Sequence, residues 1–319
     1  MTAPRVAFFG SPDFAVPTLE ALIDSPYRPV VVITQPDRPA GRGRTLTPPP
    51  VKEVAAAAGV PLLQPPRLRK PDATAALAAY EPELQIIAAY GQILRPDVLA
   101  LPRHGTLNVH ASLLPRWRGA SPIAAAIRAG DHESGVTIML VDEGEDTGAI
   151  LSSRTAPIHD DDDAGTVSDR LAAMGAELLL QTIPRWLAGE IEPQPQDATL
   201  ATRAPRLKKE EGRIDWSQPA VEIWRQVRAF SPWPGATTSL RGDAVRVCSA
   251  HPERGGGDLP GAVLGVGDTI AVATGEGVLH LERVQRAGKR AMTAAEFARG
   301  ERGLIGLRLG DAGDGDSNG

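Results

Sequence analysis

Asn108 and His110 stand two residues apart in the run Gly105-Thr106-Leu107-Asn108-Val109-His110, with Ser112-Leu113-Leu114-Pro115 just after it and Asp142-Glu143-Gly144-Glu145-Asp146-Thr147-Gly148 further on. The run reads as a β-strand. Side chains alternate between the faces of a strand, so Asn108 and His110 share one face while Leu107 and Val109 point into packing. An amide donates a hydrogen bond to a developing oxyanion, an imidazole accepts or shuttles a proton near neutral pH, and a carboxylate orients that imidazole. Together these groups suit acyl transfer without a covalent enzyme intermediate. A serine nucleophile is the competing chemistry, because Ser112 follows His110 closely; the absence of a Gly-x-Ser-x-Gly turn around it argues against that role.

Those residues need a scaffold, and the first half of the chain supplies one. Apolar runs at Arg5–Gly10, Val30–Thr34, Leu84–Ala89, Thr106–His110 and Gly135–Val141 read as strands, alternating with helical patterns at Phe14–Ile23, Val51–Ala58, Pro71–Tyr80 and Pro122–Ala129. Such alternation implies βαβ units, a mostly parallel sheet and an α/β class. Ligands bind outside the carboxyl ends of the strands of such sheets, where Gly10, Tyr90-Gly91 and His110 fall. NAD binding is rejected, since Gly10-Ser11-Pro12-Asp13-Phe14-Ala15 has one glycine where the dinucleotide fingerprint needs three. Ser11 or Asp13 is instead expected to cap the helix that follows.

Gln35–Pro50 has no apolar face and is dense in proline, glycine and arginine, so an exposed loop without secondary structure is expected. A helix over Gly165–Leu187 follows the run Asp160-Asp161-Asp162-Asp163, which reads as solvated negative charge at the helix N-terminus. No metal is expected there, because hard-cation loops interleave their carboxylates with other residues. From Gly189 to about Arg206 the composition reads as a linker, and beyond it a helix at Ala220–Phe230 leads into short strands at Ala236–Leu240, Ala244–Ala250, Gly261–Val266, Thr269–Ala273 and Gly277–Val284. Short strands at this spacing suggest a small barrel. The last ten residues, from Gly310, lack large apolar side chains and are expected to be disordered.

A chain of 319 residues is comfortable for two domains. Its 34 basic against 39 acidic residues, a formal net charge of -5, exclude the overall basicity of a general nucleic-acid binder, so any RNA contact must rest on local basic segments. The single Cys248 excludes an intrachain disulfide framework and a cysteine-rich zinc site, and its strand-like surroundings make it a packed thiol. No secretory leader and no membrane-length apolar segment is found, so a cytoplasmic protein is expected.

The assembled motifs resemble the formyltransferases that use 10-formyltetrahydrofolate. Asn108-x-His110, Ser112-Leu113-Leu114-Pro115 and Asp146-Thr147-Gly148 carry that resemblance; Gly10–Ala15, Thr34–Gly43 and Arg228–Ala236 narrow it to the branch acting on methionyl-tRNA, and it covers nearly the whole chain. The resemblance implies a Rossmann-like catalytic domain at 1–189, a linker at 190–206, an OB-like tRNA-binding domain at 207–309, a tail at 310–319, and a monomer. It implies Asn108, His110 and Asp146 as catalytic residues. Folate contacts are implied at Ser112, Leu113, Leu114, Pro115, Ile87, Tyr90 and Gly91, and contacts to initiator methionyl-tRNA at Arg38, Arg42, Arg44, Lys208 and Lys209. The reaction implied is formyl transfer from 10-formyltetrahydrofolate to the α-amine of methionine on that tRNA, with no metal. Two positions depart from the family pattern: Ala111 stands where glycine is usual, and Arg44-Thr45 where relatives carry two basic residues. The alternative substrates within the family are glycinamide ribonucleotide and an amino-sugar nucleotide; outside it, the alternative is an RNA-binding protein without catalysis.

Overall fold

The computed structural model describes residues 3–40, 45–256 and 258–310. Arg42, Arg44 and the expected tail beyond Gly310 lie outside the described residues. Along the first half run β1 (Val6–Gly10), α1 (Val16–Ile23), β2 (Pro29–Ile33), β3 (Arg38–Ala40), β4 (Thr45–Thr47), α2 (Pro50–Ala57), β5 (Leu62–Leu63), α3 (Pro71–Ala78), β6 (Leu84–Ala88), α4 (Pro96–Leu99) and β7 (Thr106–His110). Then come α5 (Pro122–Ala129), β8 (Glu133–Leu140), β9 (Ile150–Pro157), α6 (Ala164–Leu187) and α7 (Ala220–Ala229). The remainder holds β10 (Ala236–Leu240), β11 (Asp243–Glu253), β12 (Val263–Val266), β13 (Ile270–Ala273), β14 (Val278–Arg286), β15 (Met292–Thr293) and α8 (Ala294–Arg299).

Two compact units emerge, one of Met1–Pro122, Glu133–Pro157 and Val167–Pro205, the other of Ile123–His132, Ile158–Thr166 and Arg206–Gly319. The first is built on a seven-stranded sheet in the order β5-β2-β1-β6-β7-β8-β9. Pairings from β5 to β7 are parallel, while β7–β8 and β8–β9 are antiparallel, so the α/β reading holds with two antiparallel strands at one side. Val6, Ala7, Phe8 and Phe9 of β1 are wholly buried, which is why these strands read as continuous apolar runs rather than alternating ones. Ala7, Phe9, Val31, Ile33, Leu77, Tyr90 and Val98 form one core cluster, with Phe9 and Tyr90 edge to face at 5.4 Å.

Three local expectations are corrected. The Gln35–Pro50 segment is not free of secondary structure, since β3 and β4 pair antiparallel within it. Ser11 caps nothing: α1 has no side-chain cap, and the Ser11 hydroxyl instead accepts from the Thr34 hydroxyl at 3.2 Å and the Gln35 amide at 3.1 Å, tying the ends of β1 and β2 together. The aspartate run is not uniformly solvated either. Asp162 is buried and accepts from the His159 amide and the Thr166 hydroxyl, and Asp163 accepts from the Thr166 amide at 2.9 Å as an N-cap does.

The second unit carries the antiparallel sheet β10-β11-β14-β13-β12, with β15 paired to β14. Val245, Val247, Val272, Leu279, Leu281 and Val284 face its core beside Ile223 and Val227 of α7. α8 adds a helix beyond those expected, opening on a full capping box between Thr293 and Glu296.

Candidate functional site

β7 sits between β6 and β8, with Ile87 opposite Asn108 on the parallel side and Thr137 opposite His110 on the antiparallel side. On the far face Val109 lies under Gly175 of α6, where a Cβ would come within 2.6 Å of its methyl. Glycine there lets the helix backbone close onto the strand. The strand is thus fixed on both edges and one face, leaving Asn108 and His110 together on the other.

His110 is 6% exposed, and its Nε2 lies 3.0 Å from the Trp117 carbonyl oxygen. A carbonyl only accepts, so Nε2 carries the hydrogen and Nδ1 is the nitrogen left to exchange a proton. Nδ1 faces Asp146 Oδ1 at 3.6 Å. Asn108 Nδ2 donates to the same Oδ1 at 3.3 Å. The three residues read together from sequence therefore converge on one carboxylate oxygen.

Asp146 comes from a loop. Its φ of 53° lies in the left-handed region, which aspartate tolerates better than most residues. Oδ2 accepts from the Gly119 amide at 2.9 Å. Within the loop Asp142 accepts from the Gly144 amide and the Thr147 hydroxyl, at 3.0 and 2.6 Å. A Cβ on Gly148 would fall 1.8 Å from the Leu140 carbonyl oxygen, so the loop's return to the sheet admits only glycine.

The segment expected to be a linker is fastened along this site. Gln194 exchanges both backbone hydrogen bonds with Ile150, at 2.8 and 2.9 Å, while Arg118 and Ala204 pair with each other's stretch through Arg118 N to Thr202 O and Ala204 N to Arg118 O. Trp117 N donates to Thr202 Oγ1 at 2.8 Å. Gln196 Nε2 donates to the carbonyls of Asp146 and Gly148 at 2.8 and 2.7 Å, and its Oε1 accepts from Arg118 Nε at 3.0 Å. Nothing in its Pro, Gln and Thr composition signalled this: the contacts are backbone bridges and scattered side-chain bonds without periodicity.

The Ser112 hydroxyl is buried and donates to the Arg116 carbonyl at 2.7 Å, which leaves it spoken for rather than poised as a nucleophile. Ser112 and Leu114 are held by one buried hydroxyl, Thr137 Oγ1, which donates to Ser112 O at 2.7 Å and accepts from Leu114 N at 3.2 Å. Leu113 packs against Gly135, and Leu114–Pro115 is a cis peptide. Ala111 is not among the residues with positive φ, so its Cβ meets no backbone penalty there.

At the carboxyl end of β6, Ala89 and Gly91 take φ of 48° and 81° and are exposed, whereas the Tyr90 ring turns into the core. The Tyr90 hydroxyl is buried without a hydrogen-bond partner, and burial pushes its ionisation well up. The Tyr90 carbonyl accepts from Gln35 Nε2 at 3.2 Å. Arg38 lines a cleft of about 460 Å³ with Gln35, Pro66, Arg67, Arg69, Gly91, Gln92 and Ile93, the last 87% exposed. Asp37 beside it is bonded to Lys52 and Gln64, which hold its carboxyl below the usual range. Lys208 and Lys209 are exposed in the second unit, at the start of the 3₁₀ turn Lys209–Gly212. Among the described residues no three metal-binding side chains are gathered, and no helix is long and apolar enough to cross a membrane.

Residues 4–183 match the formyl transferase family and residues 206–302 its C-terminal domain. A methionyl-tRNA formyltransferase from Pseudomonas fluorescens is 50% identical over 318 residues, covering 98% of this chain and 99% of its own. One from Roseiflexus is 50% identical over 311 residues, covering 97% and 96%. Among solved structures, HypX from Aquifex aeolicus in complex with tetrahydrofolic acid superposes with a TM-score of 0.65 at 20% identity, covering 95% of this chain and 48% of that one. WlaRD, a sugar 3N-formyl transferase, gives 0.64 at 16% identity, covering 91% of this chain and all of its own; both likenesses speak to fold. With a strand-borne amide and imidazole meeting a loop carboxylate, and relatives matching it from end to end, the chain belongs to the methionyl-tRNA formyltransferases of the formyl transferase family.

Proposed function

We propose that this protein transfers the formyl group of 10-formyltetrahydrofolate to the α-amine of methionine on initiator methionyl-tRNA, with Asn108, His110 and Asp146 carrying the chemistry. The observation that supports this most is the meeting of Asn108 Nδ2 and His110 Nδ1 at Asp146 Oδ1, at 3.3 and 3.6 Å. When bound, 10-formyltetrahydrofolate supplies the formyl carbonyl that the amine attacks and the nitrogen that departs. An amide nitrogen has two hydrogens; one of Asn108's goes to Asp146, and the second is available to the formyl oxygen as negative charge builds on it. His110 Nδ1 takes the proton from the attacking amine and returns it to the departing nitrogen, its Nε2 hydrogen held by Trp117. Asp146, 18% exposed, offsets the imidazolium charge.

Ala89 and Gly91, exposed just beyond β6, whose Ile87 pairs with Asn108, fit a flat heteroaromatic ring read through amide edges, and Ile87 with Ser112–Pro115 completes that wall. Arg38 in its arginine-lined cleft, the segment carrying Arg42 and Arg44, and Lys208 and Lys209 are the groups we assign to RNA phosphates. The test is formylation of purified methionyl initiator tRNA, run beside methionyl elongator tRNA, glycinamide ribonucleotide and an amino-sugar nucleotide. Turnover restricted to the initiator is expected. Turnover with a small amine alone would keep the chemistry and discard the RNA substrate.

A further inference from the structure

One side chain links the loop carrying Asp146 to the turn at Trp117–Gly119, and we propose Gln196 as a positioning residue that acts through Asp146. This rests on the reading above, in which Asp146 is catalytic. Two stretches far apart in sequence must be brought into register for the site to work. The first, Trp117–Gly119, gives a carbonyl to His110 Nε2 and an amide to Asp146 Oδ2. The second, Asp146–Gly148, presents the carboxylate itself. Each contains a non-glycine residue in the left-handed region, Trp117 at φ 65° and Asp146 at φ 53°. Such backbone is held only where surrounding contacts over-determine it.

Gln196 supplies contacts to both. Its amide nitrogen uses its two hydrogens on the carbonyls of Asp146 and Gly148, and its amide oxygen accepts from Arg118 in the other stretch. The two stretches also meet at the Gly119 amide on the carboxylate and at His110, which lies against the Trp117 carbonyl through Nε2 and against Asp146 through Nδ1; Gln196 is the tie that reaches the backbone carbonyls of the Asp146 loop. Gln196 is itself anchored two residues away, where Gln194 and Ile150 exchange both backbone bonds. An amide is the side chain this place requires: a carboxylate would face two carbonyl oxygens without a hydrogen to give, and alanine would leave both carbonyls and Arg118 unanswered.

The experiment is a double-mutant cycle on kcat with Gln196→Ala and Asp146→Asn in the full-length enzyme, with KM for each substrate and thermal melting recorded alongside. Gln196→Ala alone is expected to lower kcat about 10- to 100-fold, the range a roughly 1 Å misplacement of a catalytic group produces, with both KM values little changed. In the Asp146→Asn background the same change is expected to lower kcat less than about 3-fold, because the group it positions is already gone. Gln196→Glu is expected to resemble Gln196→Ala in kcat, since it restores size without the two donors. Equal losses in both backgrounds, or a wild-type kcat in Gln196→Ala, would overturn the proposal. An Asp146→Asn enzyme with wild-type kcat would instead overturn the catalytic reading on which it stands, so the two failures are distinguishable.

Discussion

Asn108 and His110 reach the site from β7, whereas Asp146 reaches it from the loop 142–148, and the two are secured in different ways. β7 is locked by ladders to β6 and β8 and by α6 across Val109, all of them contacts made by any well-packed central strand. The loop has no ladder. It depends on a positive φ at Asp146, a glycine at 148 that nothing larger can replace, and side-chain bonds from residues remote in sequence. Half of the proposed chemistry therefore rests on secondary structure and half on particular side chains. This contrast predicts that deletions on β7 remove a function while leaving geometry, and that changes around the loop displace a function while leaving every catalytic group present.

The largest effects test the strand. His110→Ala is expected to lower kcat by about 10²–10⁴, the usual worth of a general acid–base, and Asn108→Ala by about 10²–10³, the worth of one oxyanion donor. Both proteins should melt near the wild type, and a normal rate in either removes that residue from the mechanism. Gly148→Ala tests the loop without touching a catalytic side chain. With its Cβ 1.8 Å from the Leu140 oxygen the loop must shift, and kcat should fall about 100-fold; a wild-type rate would erase the distinction between strand and loop. Thr137→Val probes the floor beneath Ser112–Leu114. It leaves one buried carbonyl and one amide unanswered, so a loss of about 1–3 kcal/mol in chemical denaturation is expected. Smallest is Thr293→Ala, which removes the capping box of α8 in the second unit. It should cost about 1 kcal/mol of stability and leave kcat unchanged. A fall in kcat there would mean the site responds to general loosening rather than to its own loops.

The strand half of the site was legible in the sequence for a physical reason. An amide and an imidazole two apart between apolar neighbours specify a shared face through the period of a strand, and β7 formed over the expected residues. Asp146 was legible only through the motif around it. Nothing in a loop's periodicity says where its carboxylate points. β9 went unread because an edge strand keeps one flank toward solvent, and Ser152, Ser153, Arg154 and Thr155 gave it no apolar run. The β3–β4 pairing escaped because three-residue strands with exposed side chains leave no hydrophobic signature. Gln196 was invisible in principle: its role lies in three hydrogen bonds to partners that only the folded chain brings near.

The strap from Gln194 to Ala204 has a consequence for modularity. Composition invites a cut at residue 189, after the long helix, as the natural seam for exchanging the second unit with that of another protein. A chimera joined there would import a foreign strap and lose the side-chain hydrogen bonds of Gln196 and Thr202 wherever the donor sequence differs at those positions. The seam that preserves the catalytic unit falls after Ala204, so what looks like spacer travels as part of the enzyme and recombination between relatives is constrained to a narrow window.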